Sequence, residues 1–356
     1  MAREFPCKGC GANVEFSPGA QQLKCPYCDR ENRIPQSAED VRELDFRSAL
    51  ANRDDLEKVE RIAVQCEGCG AQVVLSEGVT ADRCSFCDNP IVAQAQSQQQ
   101  IQPKAILPFV VTDDAAKGSF EQWMKSLWFA PNDLKLRARN ESVDGVYIPF
   151  WTYDAETETY YSGQRGEHYY VQQTYTVKEN GRRVQKTRSV RRTRWHSASG
   201  VVWCHFDDVL ISGSRTLPEV LVDRLAPWDL QGLVPFDERY MAGFRAECYR
   251  IDLEAGFERA KRVMAQRIQR ACEQDIGGDE QRVERMSTQH YRVTFKHILL
   301  PLWISAYRYG DRTYRFVINA RTGEVQGERP YSWAKIAVAV VGVLVIVALI
   351  AYLAQR

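Results

Sequence analysis

The sequence predicts two small zinc ribbons, a mixed α+β domain of antiparallel strands with an internal echo suggesting duplication, and one C-terminal transmembrane helix. Three observations predict it. A tetracysteine unit occurs twice, a long central stretch alternates like strands around two helical segments, and nineteen uncharged residues lie near the end. The 356 residues, 44% hydrophobic and 26% charged, suit a globular chain of two or three domains. A net charge of +1 excludes a global field for nucleic acid or for an acidic partner, so any such attraction must be local.

Eight of the eleven cysteines precede residue 90, in four C-x-x-C pairs, while Cys204, Cys248 and Cys272 are scattered. Cys7, Cys10, Cys25 and Cys28 recur as Cys66, Cys69, Cys84 and Cys87, each shifted by 59. Between residues 7–29 and 66–88, 11 of 23 positions are identical, including the Gly9/Gly68 and Gly11/Gly70 pairs. Paired thiolates at this spacing close the shell of one tetrahedral ion and leave no position for water, so the sites are structural. Each unit has little core of its own: Val14, Phe16 and Leu23 in one, Val73, Val74 and Leu75 in the other. Units so short need a metal or a disulfide to fold. Disulfides need an oxidising compartment, and the start, MAREFPCKGC, has no apolar signal segment. The expectation is therefore a reducing cytoplasm and two structural Zn²⁺ ions. Within each x14 stretch a short hairpin is expected, in the first unit with 13–16 running out and 22–24 back.

The first ribbon is assigned to 1–36 and the second to 64–93. Residues 37–63 are expected to be a helical connector. Ser37 with Asp40 resembles a capping box, and Val41, Leu44, Ala49, Leu56, Val59 and Ile62 have approximate helical spacing. Residues 94–103 are rich in glutamine and read as a linker. In the domain 104–330, strands are expected at 105–111, 146–161, 201–206, 291–309 and 313–318. A helix is expected at 120–129 with Ser119 as its N-cap, and a longer one at 252–274. A hairpin of 169–177 and 183–194 turns at Asn180-Gly181, and 319–323 is a turn. The segment Tyr147-Ile148-Pro149-Phe150-Trp151 echoes Leu299-Leu300-Pro301-Leu302-Trp303, the basis of the suggested duplication.

Residues 331–356 are the anchor. The uncharged run 336–354 would span about 28 Å as a helix, close to the ~30 Å hydrocarbon core of a bilayer. Tyr331, Trp333 and Tyr352 occupy interfacial positions, and Arg329, Lys335 and Arg356 bracket the span. A two-residue tail is easily translocated, so 1–330 is expected to stay in the cytoplasm with its thiols.

Neither ribbon carries a convincing phosphate surface: Lys8, Lys24, Arg30 and Arg33 face Glu15, Asp29 and Glu31, and Arg83 faces four acids. Protein contact or scaffolding is favoured. The one basic run, with Lys178, Arg182, Arg183, Lys186, Arg188, Arg191, Arg192 and Arg194, would spread its charges over both faces of a hairpin. Three readings stay open for it: a solvated edge that discourages aggregation, attraction to anionic lipid, or nucleic-acid contact. Catalysis finds little support. No phosphate-binding loop, dinucleotide fingerprint, H-E-x-x-H or G-x-S-x-G motif occurs. Cys204 and His205 are adjacent, and strand neighbours point to opposite faces.

The paired ribbons, Ile106-Leu107-Pro108-Phe109, Pro149-Phe150-Trp151, Arg194-Trp195, Phe206-Asp207-Asp208-Val209-Leu210, Pro227-Trp228-Asp229-Leu230, Tyr240-Met241-Ala242-Gly243-Phe244, the 299–303 and 319–323 segments and the apolar end carry a resemblance. The chain resembles the YdjG-like bacterial zinc-ribbon membrane proteins, often labelled TFIIB-type zinc ribbon proteins or primosomal protein N′ (replication factor Y) helicases. The resemblance implies an SPFH/flotillin-like partner in a membrane-stress setting, hence an adaptor and not an enzyme. The helicase label fails physically: the chain lacks a phosphate loop, and about 230 residues are too few for two motor lobes.

Overall fold

The computed structural model describes residues 5–35, 41–53, 56–74, 81–92, 95–134, 143–179, 182–310 and 312–354. In the first tetracysteine unit, β1 (Glu15–Ser17), β2 (Gln22–Lys24) and β3 (Glu31–Asn32) form an antiparallel sheet. Phe16 lies opposite Leu23, so both apolar side chains share one face. The expected hairpin is present, its outgoing strand displaced toward Ser17.

The connector departs from expectation. Among its described residues only α1 (Phe46–Ala51) is helical, after β4 (Leu44–Asp45), with the Asp45 carboxylate accepting from the Ser48 N–H. Lys58–Gln65 is instead a strand, β5. Helical spacing of Val59 and Ile62 was outweighed by partners on both edges: β6 (Gln72–Val74) on one side and β9 (Ala95–Ile101) on the other. The Ser37/Asp40 box lies outside the described residues. The second unit also contributes β7 (Ala81–Arg83) and β8 (Pro90–Val92), a separate two-stranded sheet.

The expected glutamine-rich linker is β9 itself, paired with β5 from Lys58↔Ile101 to Val64↔Ala95. An edge strand needs few apolar side chains, because one side of its ladder is open. Gln100, 7% exposed, extends the pairing through its amide: it donates to Tyr249 O and accepts from Tyr249 N, both at 3.2 Å.

β10 (Ala105–Ile106) precedes α2 (Asp113–Ser126). This helix starts earlier than expected. Thr112 is the N-cap, its hydroxyl accepting from Ala115 N, and Asp113 and Asp114 in the first turn suit the positive end of the helix. Ser119 is therefore interior.

The spine is built from three long strands, β11 (Asp144–Glu179), β12 (Arg182–Ser212) and β15 (Glu280–Tyr309). Between them come α3 (Glu219–Asp223), β13 (Val234–Pro235), β14 (Arg245–Glu247) and α4 (Leu253–Ile276), which lies where a long helix is expected and is capped by Asp252. β16 (Arg312–Asn319), β17 (Val325–Gly327) and α5 (Trp333–Ala354) follow. In the expected 319–323 turn, Asn319 Oδ1 accepts from the Arg321 and Thr322 N–H groups, and Gly323 takes φ 78°. The main sheet runs β13-β10-β15-β11-β14-β6-β5-β9, with β12 on β11 and β16 on β15.

The 147–151 and 299–303 echo has a simpler origin than duplication. The two segments pair with each other, Tyr147↔Pro301 and Pro149↔Leu299, as central strands buried on both faces, which selects similar apolar runs. No clear duplication of a unit accompanies it.

α4 covers the middle of the spine: Phe257 packs on Tyr153 at 5.5 Å, and Met264 and Ile268 share one buried cluster with Trp151, Tyr153 and Tyr161. Trp151 Nε1 donates to Ile251 O at 2.8 Å and Tyr153 OH to Leu253 O at 2.6 Å, which fixes where α4 starts. β15 accompanies β11 only as far as Gly166↔Glu280. Beyond that point 167–179 and 182–194 continue as a two-stranded arm with unbroken register to Glu179↔Arg182. The Asn180-Gly181 turn lies outside the described residues, but the pairing leaves two residues for it.

Candidate metal centres, anchor and arm

The structure brings the eight predicted ligands into two sets of four. Within each set, Cys7, Cys10, Cys25, Cys28 and Cys66, Cys69, Cys84, Cys87, the sulfurs all lie within 4.8 Å of one another. Cys7–Cys28 and Cys10–Cys25 are 3.6 and 3.5 Å apart, and Cys66–Cys87 and Cys69–Cys84 are both 3.6 Å. Those separations are far above a ~2.05 Å disulfide. A tetrahedron with metal–sulfur bonds of about 2.3 Å has edges of roughly 3.8 Å, so the donor sets fit one tetrahedral thiolate-bound ion each.

The repeat is copied into backbone. Gly11 and Gly70 take φ 77° and 74°, and Asp29 and Asp88 take 56° and 59°. Gly11 N and Gly70 N donate to Cys7 O and Cys66 O at 3.0 and 2.7 Å, and Asp29 N and Asp88 N to Cys25 O and Cys84 O at 3.0 and 2.8 Å. Without a side chain, glycine enters this left-handed region freely, which lets the knuckle close behind each first pair. Even an ion pair repeats: Lys24–Asp29 at 2.9 Å and Arg83–Asp88 at 2.6 Å, both exposed.

Four thiolates this close repel one another. The Gly9 N–H on its sulfur, with the Cys10 N–H, holds Cys7 down at about 6. Cys69, held by the Cys84 thiol, falls to about 5, while the Cys69 charge and burial push Cys84 strongly upward. Full ionisation of either set calls for a cation among the sulfurs.

Exposure separates the sets. Cys7 and Cys25 are buried but Cys10 and Cys28 exposed; in the second, Cys66 and Cys84 are buried and Cys69 and Cys87 half-buried. The first unit docks by side chains: Phe16 meets Tyr240 edge-on at 5.3 Å, its N–H donates to Ala242 O, and Gln21 Nε2 donates to Phe109 O. The second is continuous with the sheet, since β6 pairs with both β5 and β14. Arg245 Nη1 donates to Arg83 O and Ser85 Oγ at 2.9 and 2.6 Å, and Arg250 Nη1 to Gly70 O at 2.8 Å.

α5 is long and apolar enough to cross a membrane, and none of its side chains is buried. Its base is fastened to the loop after α2: Ser332 N donates to Phe129 O at 2.7 Å and Lys335 Nζ to Ala130 O at 2.7 Å. That loop exposes Trp128 (84%) beside Phe129, and Trp333 (80%) and Tyr331 are exposed at the helix entrance. Sequence reasoning found the last two; Trp128 and Phe129 escaped because a linear pattern cannot place them next to Ser332.

The basic run forms most of the arm. Cross-strand register and alternation place Arg182, Lys186, Arg188, Arg192 and Arg194 on one face and Lys178, Arg183 and Arg191 on the other. The expected spread over both faces is thus uneven. Arg188 lies over Tyr175 at 5.3 Å and Arg194 over Tyr169 at 5.0 Å, on the richer face.

Cys204 and His205 lie opposite Thr157 and Glu156 as consecutive β12 residues, on opposite faces. Asp154, Asp207 and Asp208 form a third cluster, this one of carboxylates, that sequence reasoning missed. Its neighbour Lys296, 7% exposed, lies 2.8 Å from Asp208 and 2.9 Å from Glu43. Burial, then the Glu43 carboxylate, pushes Asp154 up to about 6, and the Lys296 ammonium stays charged because Asp208 and Glu43 outweigh its desolvation. This cluster carries its cation within the chain.

A mixed-sheet body with two tetrathiolate clusters and one apolar terminal helix is the class of protein these features define. The chain is similar to the uncharacterized protein YdjG of Bacillus subtilis (strain 168), 26% identical over 342 residues, which covers 95% of this chain and 93% of that protein. No family model and no solved structure matches.

Proposed function

We propose that this protein is a non-enzymatic membrane adaptor. Zn²⁺ in both tetracysteine sets holds the N-terminal units, α5 spans the bilayer with the body in the cytoplasm, and the body recruits a soluble protein. The observation that carries this reading is the apolar helix without a buried residue, fastened at its base beside Trp128, Phe129, Tyr331 and Trp333. Aromatic rings at a helix entrance suit the headgroup level of a bilayer. Zinc is favoured for its d¹⁰ indifference to geometry and affinity for four thiolates, and a closed shell provides folding energy, not a reactive water. The local ion pairs Lys24–Asp29 and Arg83–Asp88 each offset one basic side chain of a knuckle, which supports scaffolding over phosphate contact.

The resemblance stated above makes an SPFH/flotillin-like protein the first partner to test. A chain ending at Tyr331 should be soluble and should carry the partner off the membrane in fractionation. A partner that stays with the membrane in that strain rejects the recruiting role. A second reading, nucleic-acid contact at the membrane, is favoured by the arginines and tyrosines of the arm. It predicts affinity falling steeply with salt, by roughly 10³-fold or more between 50 and 200 mM if six phosphates are engaged. No mobility shift with DNA or RNA at low salt removes it.

A further inference from the structure

We infer that the arm is a docking strip for an acidic amphipathic α-helix of a soluble protein. This rests on the adaptor reading and names the partner's chemistry and the surface that takes it. On one face, β11 presents Tyr169, Val171, Gln173, Tyr175 and Val177, while β12 presents Arg182, Lys186, Arg188, Arg192 and Arg194 with Val184 and Val190 between them. The face therefore has a mainly apolar row on one strand, broken by Gln173 and preceded at the root by Glu167 opposite Arg194, and a cationic row on the other. A helix with an apolar stripe flanked by carboxylates matches both rows at once.

Each of these side chains is exposed or half-buried. A bare two-stranded ribbon is marginal in water, and Val171↔Val190 and Val177↔Val184 form apolar cross-strand pairs on it. Covering that face removes apolar surface from water. The cations are already set along the row: Arg188 over Tyr175, with its Nε and Nη2 donating to Gln173 Oε1 at 3.3 and 3.0 Å, and Arg194 over Tyr169. Such pre-positioning lowers the ordering cost of binding.

Other occupants fit less well. A second copy would bring five cations against five. The bilayer that α5 enters lies at the wrong end, because β15 leads from Glu280 at the root of the arm to Tyr309, next to Tyr307, whose hydroxyl donates to Glu328 O just before the anchor. Nucleic acid would use the cations but has nothing for the valine pairs. From Tyr169 to Val177 the strip is about 27 Å long, which matches about eighteen residues of helix.

The test uses full-length protein in zwitterionic nanodiscs. The probes are a labelled synthetic twenty-residue helix with a leucine stripe flanked by glutamates, its same-composition scramble, and a deoxythymidine 20-mer. Anisotropy should show the helix binding at least about tenfold tighter than the scramble. Arg188→Glu with Arg192→Glu should weaken it at least about tenfold, and Val171→Ser with Val177→Ser about fivefold. Lys178→Glu with Arg183→Glu, on the opposite face, should change it less than about twofold. Retention of two metal equivalents and of the far-UV spectrum certifies that each variant is folded. Equal binding of the scramble, tighter binding of the oligonucleotide, or indifference to the Arg188/Arg192 pair overturns the inference. The adaptor reading fails separately, if removing α5 leaves the cellular partner on the membrane while the arm still binds the helix.

Discussion

The two tetracysteine units share sequence, knuckle hydrogen bonds and an ion pair, yet they are fastened differently. The first leans on the body through Phe16, Leu23 and Gln21 and keeps two ligand sulfurs in solvent. The second shares its backbone ladder with the main sheet, and Cys66, Cys84 and Phe86 pack in one cluster with Leu107, Ile148 and Leu300. Two of the twelve differing positions bear on the docking: Phe16 and Leu23 of the first unit correspond to Leu75 and Asp82 of the second. The same tetracysteine device thus serves once as a docked module and once as a rivet through the sheet.

The largest expected effect tests the rivet. Cys84→Ser should remove one of two metal equivalents and lower the main unfolding transition by on the order of 10 °C, because the β6 ladder loses its support. Cys25→Ser should also remove one equivalent but leave the main transition within about 4 °C, with limited proteolysis confined to the first unit. Equal shifts in the two variants would erase the distinction. A chelator should strip the first site about tenfold faster than the second, read by a colorimetric zinc indicator, since exposed sulfurs are attacked first. Phe16→Ala should loosen the first unit by about 3 kcal/mol, measured as local hydrogen exchange, with the second unit unchanged. Arg250→Ala should cost about 1–2 kcal/mol in denaturant unfolding by leaving Gly70 O without its donor.

The ligand sets were legible because C-x-x-C spacing is local and its chemistry allows few alternatives. The 319–323 turn, the Asn180-Gly181 hairpin and the apolar end were legible for the same reason: each is written in consecutive residues. What escaped was written across the chain. The Gln-rich β9 has no apolar pattern to betray it, as its place is set by β5 on one side and by the Gln100 amide on Tyr249. β5 carried a helix-like spacing that two flanking strands overrode. Lys296 gave no sign of its role, because Glu43 and Asp208 reach it from distant segments. Ser119 stands before an apolar helical pattern and reads locally as a cap, but α2 begins at Thr112, where Asp113 and Asp114 suit a first turn.

The bonds from Ser332 and Lys335 to the loop after α2 join span and body at two points, close to the helix entrance. A single swivel would let the body tumble about α5; two attachments resist rotation about the helix axis and tilt away from it. On the adaptor proposal, a partner held at the far end would keep one orientation relative to α5, carried by a stiff lever and not by a slack string.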